Sequence, residues 1–351
     1  MLNKIKDIIK YTLPFILMAA LLYFAFKDVD IKTTINWLSK TSIPYLILFI
    51  ISSFLSHYIR AVRWKYIISS IKPDVSVMHL FGATMIGYGV NSLVPRLGEV
   101  YRALFLGKWE GISRTSMFGT VIVERIIDII ALGISVLISV LIYNGDLYEI
   151  IPWLKSTVNL GFIIMLGLVV FLILLIKLKS KLSNLIIQLI GNISHKAAHK
   201  LNAVFETLLE GFATLRGTKN SLMTFIFTVL IMLNYGFSSY IAFYMINMNE
   251  ITIITFSMAW IVMTISAFGI VIPTPGGTGS YHFINIFVLT IIYGVTQEIA
   301  AAYALLTHFI TFVLFVSSPF FVLIYINYER KRNGLQPENF LSVIKSTGKN
   351  E

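Results

Sequence analysis

The densest chemistry in this chain is Glu124-Arg125-Ile126-Ile127-Asp128, five residues enclosed by long apolar runs. On a helix, Glu124 and Asp128 share a face, and Arg125 meets Asp128 at i,i+3. Ionisable groups at the centre of a bilayer cost about 2.5–3.5 kcal/mol each on insertion scales, so they are kept for pairing or for substrate. The spacing predicts Arg125 as the cation that holds these carboxylates, and leaves open a structural pair that serves packing and register alone.

Two further basic groups have helical spacing. Arg96, Glu99 and Arg102 recur at i,i+3 in Arg96-Leu97-Gly98-Glu99-Val100-Tyr101-Arg102; if helical, they form one polar stripe. Arg60 and Arg63, with His57 one turn earlier, form another stripe or a plain cytoplasmic anchor at a span's end. Arginine suits phosphate because its planar fork makes two parallel bonds. The fourth candidate is the run Pro273-Thr274-Pro275-Gly276-Gly277-Thr278-Gly279-Ser280. A helix beginning near Ser280 would present backbone N–H groups to an anion. It is not a nucleotide-binding loop, because the Gly-Lys-Ser/Thr ending is missing.

The candidate substrate-binding set is therefore Arg60, Arg63, Arg96, Glu99, Arg102, Glu124, Arg125, Asp128, Pro273, Pro275, Gly276, Gly277, Thr278, Gly279 and Ser280. No catalytic residue is assigned, since neither a Ser/His/Asp order nor a catalytic carboxylate pair can be argued from the spacing. His195 and His199 are i,i+4, but neither the expected Glu nor a third ligand accompanies them. Neither a metal nor another cofactor is expected.

The elements that position these residues follow from composition. Of 351 residues, 57% are hydrophobic and 13% charged; a soluble chain carries about 25% charged residues. Lipid must be the solvent. There is no cysteine, which excludes disulfides, thiol chemistry and Cys-ligated zinc. The net charge of +11 sits in short segments between apolar runs, where it sets topology; nucleic acid is not the expected partner. Lys4, Lys6 and Lys10 before an apolar run resemble a signal peptide, but Lys27-Asp28-Val29-Asp30 follows in place of a cleavage site, so the segment reads as a retained span.

Apolar runs at 11–26, 44–66, 115–143, 157–176, 220–246 and 299–327 read as about six full spans. Two more apolar regions, 77–108 and 252–294, are broken by Val94-Pro95-Arg96-Leu97-Gly98-Glu99 and by the Pro273–Gly279 run. Most Lys and Arg fall on one side if the first region is re-entrant from the cytoplasm and the second from outside. The two breaks share a Pro-x-x-Gly pattern, which suggests an inverted repeat of the kind that places a transporter's substrate site. Two functionless kinks are the competing reading. The expectation is an all-α polytopic protein of a bacterial inner (cytoplasmic) membrane, with both termini cytoplasmic. Residues 1–330 form one transmembrane domain and 331–351 a short basic tail. Within the domain, 177–219 reads as an amphipathic helical loop, with Leu182, Leu185, Ile186 and Leu189 among its apolar positions, lying on the cytoplasmic leaflet.

Four ordered motifs resemble one family. They are Arg60-Ala61-Val62-Arg63-Trp64, the run Asn91–Ala103, Glu124–Asp128 and Pro273–Gly279. Together, over nearly the whole chain, they resemble the lysylphosphatidylglycerol synthase transmembrane-region family, also called flippase-like. In the bifunctional proteins for which that family is named, this module precedes a soluble aminoacyl-transferase domain. The resemblance implies that the module moves aminoacylated phospholipid between leaflets. The sequence after Asn327 is too short for a catalytic domain, so the enzymatic half is not expected here. The function expected is a flippase-like transporter of an anionic, aminoacylated or glycosylated lipid. The alternatives are a membrane-embedded transferase using a lipid-linked donor, and a non-catalytic partner of a separate lipid-modifying enzyme. Membrane lipids are the expected partners, with a homo-oligomer or that enzyme as further ones.

Overall fold

A computed structural model describes residues 2–143, 145–150, 152–177 and 217–340. Among them there are only helices and turns. The expected amphipathic loop lies outside the described residues except at its two ends, as do His195, His199 and tail residues 341–351.

Helix α1 (Leu2–Phe26) turns through 87° into α2 (Ile31–Ser39). Asp30 caps α2 by accepting from Lys32 N–H and from the Thr33 hydroxyl at 2.6 Å. The Thr33 hydroxyl and the Lys32 N–H hold its carboxyl below the usual range. Helix α3 (Ile43–Ile68) follows, with Pro44 in its first turn, where no N–H is missed. Helices α4 (Val77–Leu93) and α5 (Gly98–Glu110) form the first broken hairpin. Then come α6 (Arg114–Ile142), the short α7 (Leu147–Ile150), α8 (Pro152–Lys177) and α9 (Thr218–Met245). The second hairpin is α10 (Phe256–Ser266), α11 (Phe268–Val271) and α12 (Ser280–Tyr293); α13 (Gln297–Arg332) closes the described bundle.

Four helices, α3, α6, α9 and α13, are long and apolar enough to cross a membrane, and α1 from Thr12 with α2 makes a fifth if the bent pair is one span. Helix α8 covers the run expected at 157–176.

The two hairpins enter from opposite ends of the bundle. At one end Lys72 binds Glu110, and His79 bridges Glu110 and Glu329, so both ends of the α4–α5 hairpin meet the last turns of α13. At the other end Asn247 donates to the Lys40 carbonyl, Ser42 N–H to the Met245 carbonyl, and Tyr143 packs edge-on against Tyr293. The tips meet inside. A Cβ built on Gly276, in the second tip, would lie 3.2 Å from the Ser92 carbonyl at the end of α4.

Glycine permits the tight first hairpin. A Cβ on Gly98 would collide with the Gly87 carbonyl, so α4 and α5 touch backbone to backbone. Asn91 then bridges the break, its Oδ1 accepting from Gly98 N–H at 2.7 Å. Arg96, at φ 65°, makes the left-handed turn.

Candidate functional site

The packing of α3 and α5 on α6 gathers the intramembrane charges into one cluster. Glu124 is fully buried and is its centre. It accepts a bidentate pair from Arg102, with Nη1 to Oε1 at 2.9 Å and Nη2 to Oε2 at 2.6 Å. Arg60 Nη1 bridges Glu124 Oε1, at 2.7 Å, and Asp128 Oδ2. Arg63 Nη2 binds Asp128 Oδ1 at 2.7 Å. The forks are braced by neutral groups. Arg60 donates to the Tyr235 hydroxyl at 3.1 Å and Arg63 to the Thr228 hydroxyl at 3.1 Å. The Arg102 guanidinium lies 3.7 Å over the Trp64 ring, whose Nε1 donates to Thr120.

This corrects two expectations. Arg60 and Arg63 are not cytoplasmic anchors: their side chains are 4% and 0% exposed. Arg125 is not the main partner of the acids. It lies 3.3 Å from Glu124 and 3.7 Å from Asp128, with a side chain 35% exposed. The reason is geometric: neighbours on one helix point past one another, whereas arginines from facing helices meet the carboxylates head-on.

The expected Arg96–Glu99–Arg102 stripe is also divided. Helix α5 starts at Gly98, so Arg96 stays in the turn, exposed. Arg102 points into the cluster. Glu99 receives Asn91 Nδ2 at 3.3 Å and faces a narrow cleft with ≈ 20 Å³ of free volume, shared with Tyr88, Thr84, Arg102 and Arg125. Lys108, on α5, binds the buried Glu338 at 2.9 Å.

Four guanidiniums therefore surround two carboxylates, two more formal positive charges than negative ones, with the Glu99 side chain across the cleft. The Nε atoms of Arg60, Arg63, Arg102 and Arg125 are buried without hydrogen-bond partners, and so is His57 Nδ1. Surplus donors at low dielectric favour an anion. His57 packs against Tyr88 and Phe315, which border the same region.

The second tip has different chemistry. Its glycines 276, 277 and 279 take positive φ values of 59°, 74° and 87°. Most of the hydrogen bonds around them are local. Gly277 N–H donates to Thr274, Thr278 N–H to Pro275, and Gly279 N–H to His282 Nδ1 at 3.3 Å. The Ser280 hydroxyl reaches Thr274 and the Gly277 carbonyl, and His308 Nε2 donates to the Gly276 carbonyl at 3.0 Å. Pro275, Gly279 and Ser280 are buried, while Pro273 is exposed. None of these bonds reaches the arginine cluster.

The sequence reading missed Tyr88, Tyr235, Thr228 and the bridging role of Asn91. A signal for the pairing was present: arginines at i,i+3 on α3 match acids at i,i+4 on α6.

Long apolar helices and two opposed broken hairpins define a polytopic helical membrane protein. The chain belongs to the family described as the lysylphosphatidylglycerol synthase TM region, whose model matches residues 11–317. A UPF0104 membrane protein of Methanocaldococcus jannaschii is 25% identical over 88% of this chain and 91% of its own length. A second one from that organism is 29% identical over 66% of this chain and 93% of its own. A UPF0104 membrane protein of Methanothermobacter thermautotrophicus is 28% identical over 34% of this chain and 36% of its own. No solved structure matches the chain.

Proposed function

We propose that this protein moves a lipid with an anionic headgroup between the leaflets of the cell membrane, without covalent chemistry of its own. The observation that supports it is the cation-rich cluster of Arg60, Arg63, Arg102 and Arg125 around Glu124 and Asp128, beside a cleft. A translocated headgroup needs a polar path while its chains stay in hydrocarbon. Arg102 and Arg125 line the cleft and supply the phosphate contacts; Glu99 opposite them accepts from a headgroup amine or hydroxyl. Aminoacylated phospholipid, suggested by the family's description, meets both demands, and so does a glycosylated one.

The opposed hairpins act as halves of an inverted repeat, and their meeting tips are the point about which access alternates. Both termini lie in the cytoplasm, and the membrane is the inner one where the cell has two.

The test is reconstitution of the purified chain into liposomes holding fluorescent lipids with a panel of headgroups. Leaflet exchange is read by chemical quenching and lipid turnover by mass spectrometry. Exchange of anionic or aminoacylated lipids, reduced by Arg102→Gln, is the expected result. Turnover without exchange supports the transferase, and neither activity supports the partner of a separate enzyme.

A further inference from the structure

A second cleft lies at the far end of the bundle, between α1 and α12. Helix α1 contributes Phe24 and Ala25; α12 contributes Phe283, Ile286, Phe287 and Ile291. The cleft's free volume is ≈ 160 Å³, below the roughly 300–1,000 Å³ of enclosing ligand pockets, so it is an open groove with room for part of one slender chain. Its polar groups are few and grouped. Asp28 follows the end of α1, Thr290 is in the last turn of α12, and Gln297 opens α13, so all three sit where these helices end.

Its geometry follows from the tip of the second hairpin. At the start of α12, Gly279 allows contact with α1: a Cβ there would come 2.6 Å from the Met18 carbonyl. Towards their other ends the two helices leave the wedge between them. Phe24 and Ile291, on its two walls, are 54% and 53% exposed, so the wedge opens sideways. In a membrane-spanning chain that side meets hydrocarbon.

We infer that this wedge is a lipid-binding site, seating part of one acyl or isoprenoid chain between α1 and α12 with a hydrogen-bond-donating headgroup at Asp28 and Gln297. The Asp28 carboxylate accepts from an ammonium or hydroxyl, and Gln297 can donate as well as accept. Lys27, 3.7 Å from Asp28, gives the mouth a cation for the lipid phosphate. The site is on α12, away from the arginine cluster, and does not require that lipid be transported.

The full chain is reconstituted with phosphatidylethanolamine or phosphatidylcholine bearing a diazirine in one acyl chain, then irradiated and mapped by peptide mass spectrometry. Adducts on Phe24, Phe283 and Phe287 should exceed those on Phe320 and Phe321, exposed on α13, by about fivefold. Ile291→Trp, a change at an exposed wall position, should remove this excess and leave the α13 adducts unchanged; Ala25→Leu should do the same from the other wall. The ethanolamine lipid should label more than the choline lipid, and Asp28→Asn should erase the difference. Equal adducts on both regions, or an excess that survives both wall variants, overturns the site. Equal labelling by the two headgroups in the unaltered protein overturns the role of Asp28. A protein that labels this way and yet exchanges no lipid refutes the transport reading alone.

Discussion

The two hairpins have the same outline and opposite chemistry. The α4–α5 hairpin carries Arg102 to a partner on another helix, Glu124, and its glycines let α4 and α5 touch. The α10–α12 hairpin is uncharged at its tip and bonds mostly within itself, Thr274 to Ser280 and Gly279 to His282, with one bond from His308 of α13 to the Gly276 carbonyl. The first hairpin joins, through Arg102, a cluster whose buried donors are in surplus, while the polar side chains of the second tip have partners. Buried polar groups in balance fix a conformation; a surplus of buried donors beside a cleft favours a ligand. Under the proposed transport function, the first hairpin contributes to substrate chemistry and the second to shape.

Removing Glu124 attacks the comparison hardest. Glu124→Ala leaves Arg102 and one contact of Arg60 without a carboxylate in a dry interior, at a cost of about 3–5 kcal/mol. Ser280→Ala on the second tip removes neutral hydrogen bonds, at about 1 kcal/mol. Thermal unfolding in detergent ranks the two; if Ser280→Ala is the more damaging, the contrast between the tips is lost. Gly98→Ala comes next, because its methyl meets the Gly87 backbone and a backbone cannot swing aside. It should cost about 1–3 kcal/mol. Gly277→Ala, with open space around its Cβ, is strained only by its φ of 74° and should cost about 1 kcal/mol. Equal melting shifts would mean that hairpin contact does not limit stability.

Arg125→Ala sharpens the comparison differently. Glu124 keeps Arg102 and Arg60, and Asp128 keeps Arg60 and Arg63, so stability should fall by only about 0–1 kcal/mol. Exchange of anionic lipid in liposomes should fall much further, since Arg125 faces the cleft. A large loss of stability with unchanged exchange would return Arg125 to a structural role.

The smallest effect concerns the outer end of the first hairpin, where Glu110 joins Lys72, His79 and Ser76 N–H. Burial works to raise its carboxyl, but these hydrogen bonds outweigh that and hold it below the ordinary glutamate value. Its contribution is complete above the unfolded-state value and is lost as pH falls through the lower, folded-state one. Unfolding measured across that acid range should show a decline that Glu110→Gln flattens. An unchanged slope in the variant would remove Glu110 from the account.

Much of this was written in the sequence. Apolar runs of bilayer length, with Pro and Gly at two interruptions, are local properties, because the backbone cannot leave its hydrogen bonds unmet in lipid. They determined the helices, both broken hairpins and the residues whose charge demanded a partner. Family membership was legible in the same motifs. What sequence could not decide was which charges meet. Arg125 stands beside Glu124 along the chain, yet Arg102 and Arg60 hold it, because adjacent residues on a helix diverge while facing helices converge. Nor could it show that the second tip uses its own N–H groups, or that α1 and α12 part to leave a wedge. Those depend on distances between segments far apart in the chain, and only the packing of α3, α5 and α6, and of α1 on α12, sets them.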